Sequence, residues 1–507
     1  VIDFVLTQFQ NFGISFWLLV IDPVTYLYLF GAVALGIVFG ALPGLTATLA
    51  VTILTGFFGN KIPIEQSLIA LIGAYVGAIY GGSYPSILLN IPGTAASAAT
   101  AMDGHPLAKQ GRGGEALGLT TTASFIGTLI GTVVLLLLVG AMLALSKQIA
   151  SPEKALLALF GILVSGTLMS SDLVIKGWIA GLIGLAMAMV GMDPILSEQR
   201  YTFGWSYLLS GFMVVPVLMG CFAIPQIMLG LRTGPVSGHA PQVGRIMPNL
   251  GTVRHNMPTI ARSGAIGVGI GALPGVGEDV AGWVSYGTAK SLSSTPDEFG
   301  KGSVQGLLSS EVANNACIGG ALIPLLVLGI PGSPPAAALL GALMINNVTP
   351  GPTIDPMLIS KIVAILVLSS LAILILGLFA ARLFVSVLRL PQTIFLPVVL
   401  VLTTIGSFSV GGGINDLFLM IVVGLISFAL IRMEYPIAPL VIGVILGGLF
   451  DESFRRALLV SDGDLSPFVT RPASAILLGL IVVLILSQIP FVRRGLGRLM
   501  RRRTELS

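Results

Sequence analysis

Charge is what this chain has least of. Only 9% of its 507 residues are Asp, Glu, Lys or Arg, against roughly 25% in an ordinary soluble domain. Its two cysteines, Cys221 and Cys317, both sit in apolar segments, which excludes a disulfide framework and leaves redox chemistry without support. The three histidines, His105, His239 and His255, read as lying in polar loops, and no Walker motif, HExxH pair or cysteine–histidine cluster occurs. Gly411-Gly412-Gly413 lacks the strand-to-helix setting that a phosphate loop needs. A membrane-embedded enzyme or sensor therefore has no catalytic constellation to work with.

What the chain does have is apolar sequence, 55% of it hydrophobic. Runs near 20 residues recur at 117–145, 359–380 and 475–489, each long enough for a bilayer core of ~30 Å. About a dozen such segments make this an all-α polytopic membrane protein. No charged n-region with a small-residue cleavage site opens the chain, so the stretch 12–20 reads as an anchor that stays. The tail 491–507 carries Arg493, Arg494, Arg498, Arg501, Arg502 and Arg503, which the positive-inside rule puts in the cytoplasm. Binding to anionic lipid headgroups is equally compatible with that cluster. A Gly- and Pro-rich linker, 231–262, has Arg232, Arg245, Arg254 and Arg262 and no acid. It reads as a cytoplasmic connection between two halves, 1–230 and 263–490. Basic loops are ordinary on that side, so nucleic acid is not an expected partner.

The halves repeat one another. Gly40-Ala41-Leu42-Pro43-Gly44 recurs as Gly271-Ala272-Leu273-Pro274-Gly275, and Ile91-Pro92-Gly93-Thr94-Ala95 as Ile330-Pro331-Gly332-Ser333-Pro334. Gly81-Gly82 and Pro85 precede the first Pro-Gly, as Gly319-Gly320 and Pro324 precede the second. His105, Lys109 and Arg112 follow the first break, whereas 346–359 holds Asp355 and no basic residue. Equivalent loops then face opposite sides, as inverted-topology repeats require.

Interrupted helices at matching places in two apolar halves point to a transporter's binding site. Pro92 removes a backbone donor, Gly93 permits an unusual φ, and Thr94 can cap a new helix; Ser333 takes the same position before Pro334. A half-helix start offers free N–H groups and about half a positive charge, which suits an anion. Asn90, Pro92, Gly93, Thr94, Ala95, Pro331, Gly332 and Ser333 are thus the candidate substrate-binding residues. For either break alone, an ordinary proline kink explains the sequence equally well. Almost no Lys or Arg interrupts the apolar segments, so co-bound cations must help balance a bound anion. The arms around the two GALPG turns, 31–41 with 45–58 and 265–273 with 276–286, are too short to span comfortably and suit re-entrant hairpins. Carbonyls at Gly40, Pro43, Gly44, Gly271, Pro274 and Gly275, with Thr46 and Ser83, are candidate ligands for Na+. A turn joining two short tilted helices is the alternative. Glu278, Asp279 and Glu311 are acids in apolar surroundings, fit to hold a cation, carry a proton or shape specificity, although Glu278 and Asp279 also suit a wet segment edge. Asn90, Asn314 and Asn315 are further polar ligands. The run Asp451 to Arg456 mixes signs and reads as a solvated helix end, with a partner contact as the alternative.

Several of these segments, in this order, resemble the large membrane subunit of tripartite tricarboxylate transporters. They are Ala41-Leu42-Pro43-Gly44, Tyr80 to Ser83, Asn90 to Thr94, Asp103-Gly104-His105-Pro106, Phe299 to Gly302, Glu311 to Ala316, Gly319 to Pro324 and Gly329 to Ser333. The resemblance implies a secondary transporter of the bacterial inner membrane. It implies two partners, a small four-helix membrane subunit and a periplasmic solute-binding protein. Its cargo would be citrate-like di- or tricarboxylates or aromatic acids, driven by a Na+ or H+ gradient. It also implies an elevator-type scaffold and transport domain. Glu278-Asp279 and Ser309-Ser310 depart from the family's usual pattern. A passive anion channel or facilitator is the competing class, which uphill accumulation would distinguish.

Overall fold

The computed structural model describes residues 2–59, 61–169, 173–233, 243–244 and 246–488. His239, Arg245 and the tail arginines lie outside them. In chain order the helices begin with α1 (Ile2–Ile21), α2 (Pro23–Ala41), α3 (Ala47–Phe58), α4 (Ile64–Gly81), α5 (Ser83–Leu89), α6 (Ala98–Leu107) and α7 (Gly113–Ser146). Next come α8 (Ser151–Leu168), α9 (Val174–Ala188), α10 (Val214–Thr233), α11 (Leu250–His255), α12 (Met257–Gly271), α13 (Gly277–Ser291), α14 (Val304–Leu328) and α15 (Pro334–Ile345). The chain continues through α16 (Pro356–Phe379), α17 (Ala381–Val387), α18 (Gln392–Gly411), α19 (Ile414–Arg432), α20 (Ile437–Val460), α21 (Pro467–Thr470) and α22 (Pro472–Ser487). Among the described residues, ten helical stretches are long and apolar enough to cross a membrane.

Two compact units divide the chain, and each draws on both halves of the sequence. One comprises Val1–Lys147 and Met213–Met433, the other the described residues of Gln148–Phe212 and Glu434–Ser507. In the smaller unit a two-residue ladder, Gly191–Met192 against Gln199–Arg200, carries ionic partners for α20. Arg200 pairs with Asp451 at 2.7 Å, and Arg455 pairs with Asp193. Backbone N–H donation from Ile195, and then Arg455, hold the Asp193 carboxyl below the usual carboxylate range. Asp451 is buried in this ion-pair cluster, which corrects the reading of 451–456 as a solvated helix end.

The larger unit packs helix pairs through small residues, which let backbones approach closely in a bilayer where apolar contact alone gives little drive. A Cβ on Gly36 or Gly40 of α2 would fall on the Ala74 or Ala78 carbonyl of α4. Gly267 and Gly271 of α12 meet the Ala313 and Cys317 carbonyls of α14 in the same way. Asp22 caps α2 by accepting from Val24 N at 3.0 Å, and Pro23 occupies its first turn. Because that start lies well before residue 31, α2 reaches 19 residues, longer than a re-entrant arm. The other three arms, α3, α12 and α13, are 12, 15 and 15 residues. His105 and His255 lie in α6 and α11 rather than in loops. The segment after His105 runs through a π-turn, Ala108–Arg112, where Gly111 at φ 80° absorbs the kink.

Candidate functional site

Both breaks lie in the larger unit and are built alike. At the second, α14 ends on left-handed Gly329 (φ 71°); Ile330 N donates to Pro324 O at 3.2 Å and Gly332 N to Ala321 O at 3.4 Å. At the first, α5 ends on left-handed Asn90 (φ 58°); Ile91 N donates to Pro85 O at 3.3 Å and Gly93 N to Gly82 O at 3.4 Å. Each of these partners stands 239 residues from its counterpart. The turns match too, with Leu45 N bonding Leu42 O and Val276 N bonding Leu273 O. A Cβ on Gly93 would strike the Gly40 carbonyl, and one on Gly332 the Gly271 carbonyl, so each turn lies directly on its break.

Their caps differ. Ser333 is extended and its Oγ accepts from Ala336 N at 3.4 Å, with Pro334 opening α15, as the sequence suggests. Thr94 is extended as well, but its hydroxyl takes no helix N–H. Instead Ser97 Oγ accepts from Thr94 N at 3.3 Å and donates to Thr94 O at 2.8 Å, across a single 3-10 turn before α6. Exposure differs also: Asn90, Pro92 and Ala95 are exposed, whereas 331–340 are buried throughout.

Of the candidate ion ligands, Thr46 Oγ1 is engaged as the cap of α3, accepting from Leu49 N at 3.1 Å. Ser83 Oγ donates to Tyr80 O at 2.7 Å. Gly275 N donates to Pro331 O at 3.1 Å, tying the second turn to its break. Pro274 is buried and Pro43 half-buried; Gly44, at φ 94°, is exposed and faces Gln226 of α10.

Each half lends the other a polar group. Glu278, buried at the start of α13, is hydrogen-bonded to the Tyr75 hydroxyl of α4, which lies 2.8 Å from Ser333 Oγ. Reciprocally, Asn314 of α14 donates to Ala96 O beside the first break at 3.3 Å. Glu311, one turn earlier, accepts from Thr100 Oγ1 at 2.5 Å and from Ser124 Oγ at 2.9 Å. Asn315 Nδ2 bonds Ser124 Oγ, Asn314 Oδ1 and Glu311 O, while its own buried Oδ1 has no partner. Gly282 of α13 lies against Ala96 O, so the two clusters adjoin. Asp279 is half-buried next to Glu278. Neither Glu278 nor Glu311 is a wet segment edge. Among the described residues, none of the ion pairs includes a residue of either break.

Sequence reasoning singled out neither Tyr75 nor the part that Asp103 plays. Asp103 Oδ1 accepts from the backbone N–H groups of Gly300, Gly302 and Ser303 at 2.8, 2.9 and 2.8 Å, binding α6 to the loop before α14. Positive φ at Gly300 (86°) and Gly302 (109°) turns those donors inward. The available signal was the pairing of Asp103-Gly104 with the glycine-spaced Gly300-Lys301-Gly302.

Residues 26–442 match the family described as "Tripartite tricarboxylate transporter TctA family". Two proteins of Agrobacterium vitis are similar to the chain. The "Uncharacterized 52.8 kDa protein in TAR-I ttuC' 3'region" is 35% identical over 481 residues, 93% of this chain and 95% of that protein. The "Uncharacterized protein in TAR-II ttuC' 3'region" is 40% identical over 228 residues, 44% of this chain and 94% of that protein. No solved structure gives a significant match.

Proposed function

The chain belongs to the tripartite tricarboxylate transporter TctA family, and from that premise we propose that it is the membrane subunit of a cation-coupled carboxylate importer. Its cargo is a citrate-like di- or tricarboxylate or an aromatic acid, delivered by a periplasmic binding protein, with a small membrane subunit alongside. The observation that carries this reading is the pair of breaks with the same backbone hydrogen bonds, each lying on a glycine turn. Interrupted main chain at matched places is how many secondary transporters cradle an anion without a basic side chain. On this reading the halves are inverted repeats, and substrate carboxylates meet the N-termini at Thr94–Ser97 and Ser333. The elevator-type division and the inner-membrane location come with the family resemblance.

For the coupling cation, Na+ best suits the oxygens around Glu311. That carboxylate, the unpartnered Asn315 Oδ1, Asn314 Oδ1, Thr100 Oγ1 and Ser124 Oγ form a hard-oxygen donor set. The turn ligands are less suited, because they include no carboxylate and no unpartnered side-chain oxygen of the kind Glu311 and Asn315 offer.

The test is the complex in liposomes, offered labelled citrate and a panel of dicarboxylates under imposed Na+ and H+ gradients. Accumulation above the outside concentration, abolished when both gradients are dissipated, is the expected result. Filling only to equilibrium, whatever the gradient, would overturn active transport.

A further inference from the structure

We propose that Glu278 binds a coupling proton, and that Tyr75 relays its protonation state to Ser333 at the mouth of α15. This rests on the reading of the second break as an anion site. Glu278 is 2% exposed at the first turn of α13, and its hydrogen-bond partner is the Tyr75 hydroxyl. The groups facing it are few. Tyr75 comes from α4, Ser333 from the N-cap of α15, the Cys317 thiol from α14 and Asp279 from α13 itself. Lys290 lies at the far end of α13, about 18 Å along the helix, and Arg262 lies nine residues before Gly271 on α12. The 3-10 turn Ala95–Ser97 presents no ionisable residue; Asp103 and His105 of α6 are bound to the 300–303 backbone and to Ile87 O, and Glu311 of α14 to Thr100 and Ser124. Among the described residues, no basic group therefore pairs with an ionised Glu278. A hard cation, wanting about six oxygens, would find besides the neighbouring Asp279 carboxylate only a phenol, a thiol and a capping hydroxyl whose lone pair already serves Ala336 N. A proton needs only the carboxylate.

Counting hydrogens shows the consequence. Tyr75 and Ser333 have one hydroxyl proton each, and Ser333 Oγ also accepts from Ala336 N. With Glu278 ionised, Ser333 donates to Tyr75 and Tyr75 donates to the carboxylate, so both protons point inward. An anion arriving at α15 then meets a hydroxyl turned away and a like charge beyond it. With Glu278 protonated, the carboxyl donates to Tyr75 and Tyr75 donates to Ser333, which frees the Ser333 proton for the anion. One O–H bond forms on Glu278 at loading and breaks at release, and one proton crosses with the cargo.

Two measurements test this. Infrared difference spectra of the reconstituted complex, taken between neutral and acid pH, need no substrate. The protonated-carboxyl band should vanish in Glu278→Gln, shift in Tyr75→Phe and persist in Asp279→Asn. The same band in Glu278→Gln as in the natural protein would overturn the proposal. The second is uptake of whichever dicarboxylate of the panel is accumulated, measured against pH. Above the pH at which Glu278 ionises, the natural protein should lose up to about tenfold per unit, as one linked proton demands. Glu278→Gln should give a flat profile, and a parallel slope in that variant would sink the coupling. Wild-type uptake by Ser333→Ala, with the band still assigned to Glu278, would reject the anion site and the relay while sparing the proton site. Loss of uptake in Ser333→Ala without a Glu278 band would do the reverse.

Discussion

Adding one methyl group at Gly332 tests whether the fit between turn and break matters. Gly332 has an ordinary negative φ, so the penalty is steric rather than conformational. Its Cβ would fall on the Gly271 carbonyl oxygen and stand 2.6 Å from Ala321 Cα, where ordinary contact begins at 3.4 Å. The break must therefore move away from α14 by about 0.8 Å and from α12 by about 1.3 Å. Overpacking of this kind costs ~1–3 kcal/mol, or roughly 5- to 150-fold in an equilibrium constant. Gly341, in the same α15, is the control. A Cβ there meets Val214 and Val215 at 3.6 and 3.7 Å, so Gly341→Ala should be neutral or gain ~0.4–1 kcal/mol through the unfolded chain. Thermal unfolding of the purified protein should place Gly332→Ala below the natural protein and Gly341→Ala at or above it. Uptake should fall at least tenfold in Gly332→Ala and persist in Gly341→Ala. Gly93→Ala should behave like Gly332→Ala, since its Cβ strikes the Gly40 carbonyl. An unshifted unfolding midpoint with wild-type uptake in Gly332→Ala would refute the claim that turn and break are in strict contact.

Three further outcomes are expected. Asp103→Asn should lower stability by ~1.5–3 kcal/mol, because three backbone N–H groups lose a charged acceptor; faster proteolytic cutting at 299–303 would report it. Glu311→Gln should remove Na+ stimulation of uptake, read as a flat Na+ dependence, while the fold persists because the amide oxygen still accepts from one of Thr100 and Ser124 and its NH2 can donate to the other hydroxyl. The clasp of Asp193 on Arg455 should hold at pH 5 and open only on strong acidification. A carboxyl lowered in the folded state stabilises above its unfolded pKa, about 3.9, and that stabilisation is lost as pH falls through the lower folded value. Protease sensitivity of residues 193–205, followed against pH, measures it.

What could be read from sequence was what is local. Pro-Gly pairs, capping hydroxyls and apolar runs act within a turn or two, so both breaks and the all-helical fold were legible. So was Ser333 as a cap. Polar sequence misled where packing overrode it: His105 reads as a loop residue, yet the chain stays helical there and continues through a π-turn. Asp451 looked solvated because its partner Arg200 is 251 residues away. Tyr75 was invisible for the same reason, since its partners lie 203 and 258 residues off in sequence.

The two halves are also unequal in an instructive way. Counterparts stand 231 residues apart up to the turns and 239 apart from α4 and α14 onward. The eight additional residues of the second half fall in its stretch from the turn to α14, which ends in the connection 292–303, and the first half has only 59–63 at that connection. That longer connection holds Gly300, Gly302 and Ser303, the three donors to Asp103. The position equivalent to Asp103 in the second half is Ala342, which has no carboxyl to offer. Asp103 thus occurs in the first half only and its donor loop in the second only, and Glu278 and Asp279 stand in the second half opposite Ala47 and Thr48 of the first. A site built from two equivalent halves would treat an anion alike in either orientation. With Glu278 in the second half only, the two breaks are chemically unequal: the second is buried with a carboxyl beside it, and the first is open to solvent at Asn90, Pro92 and Ala95.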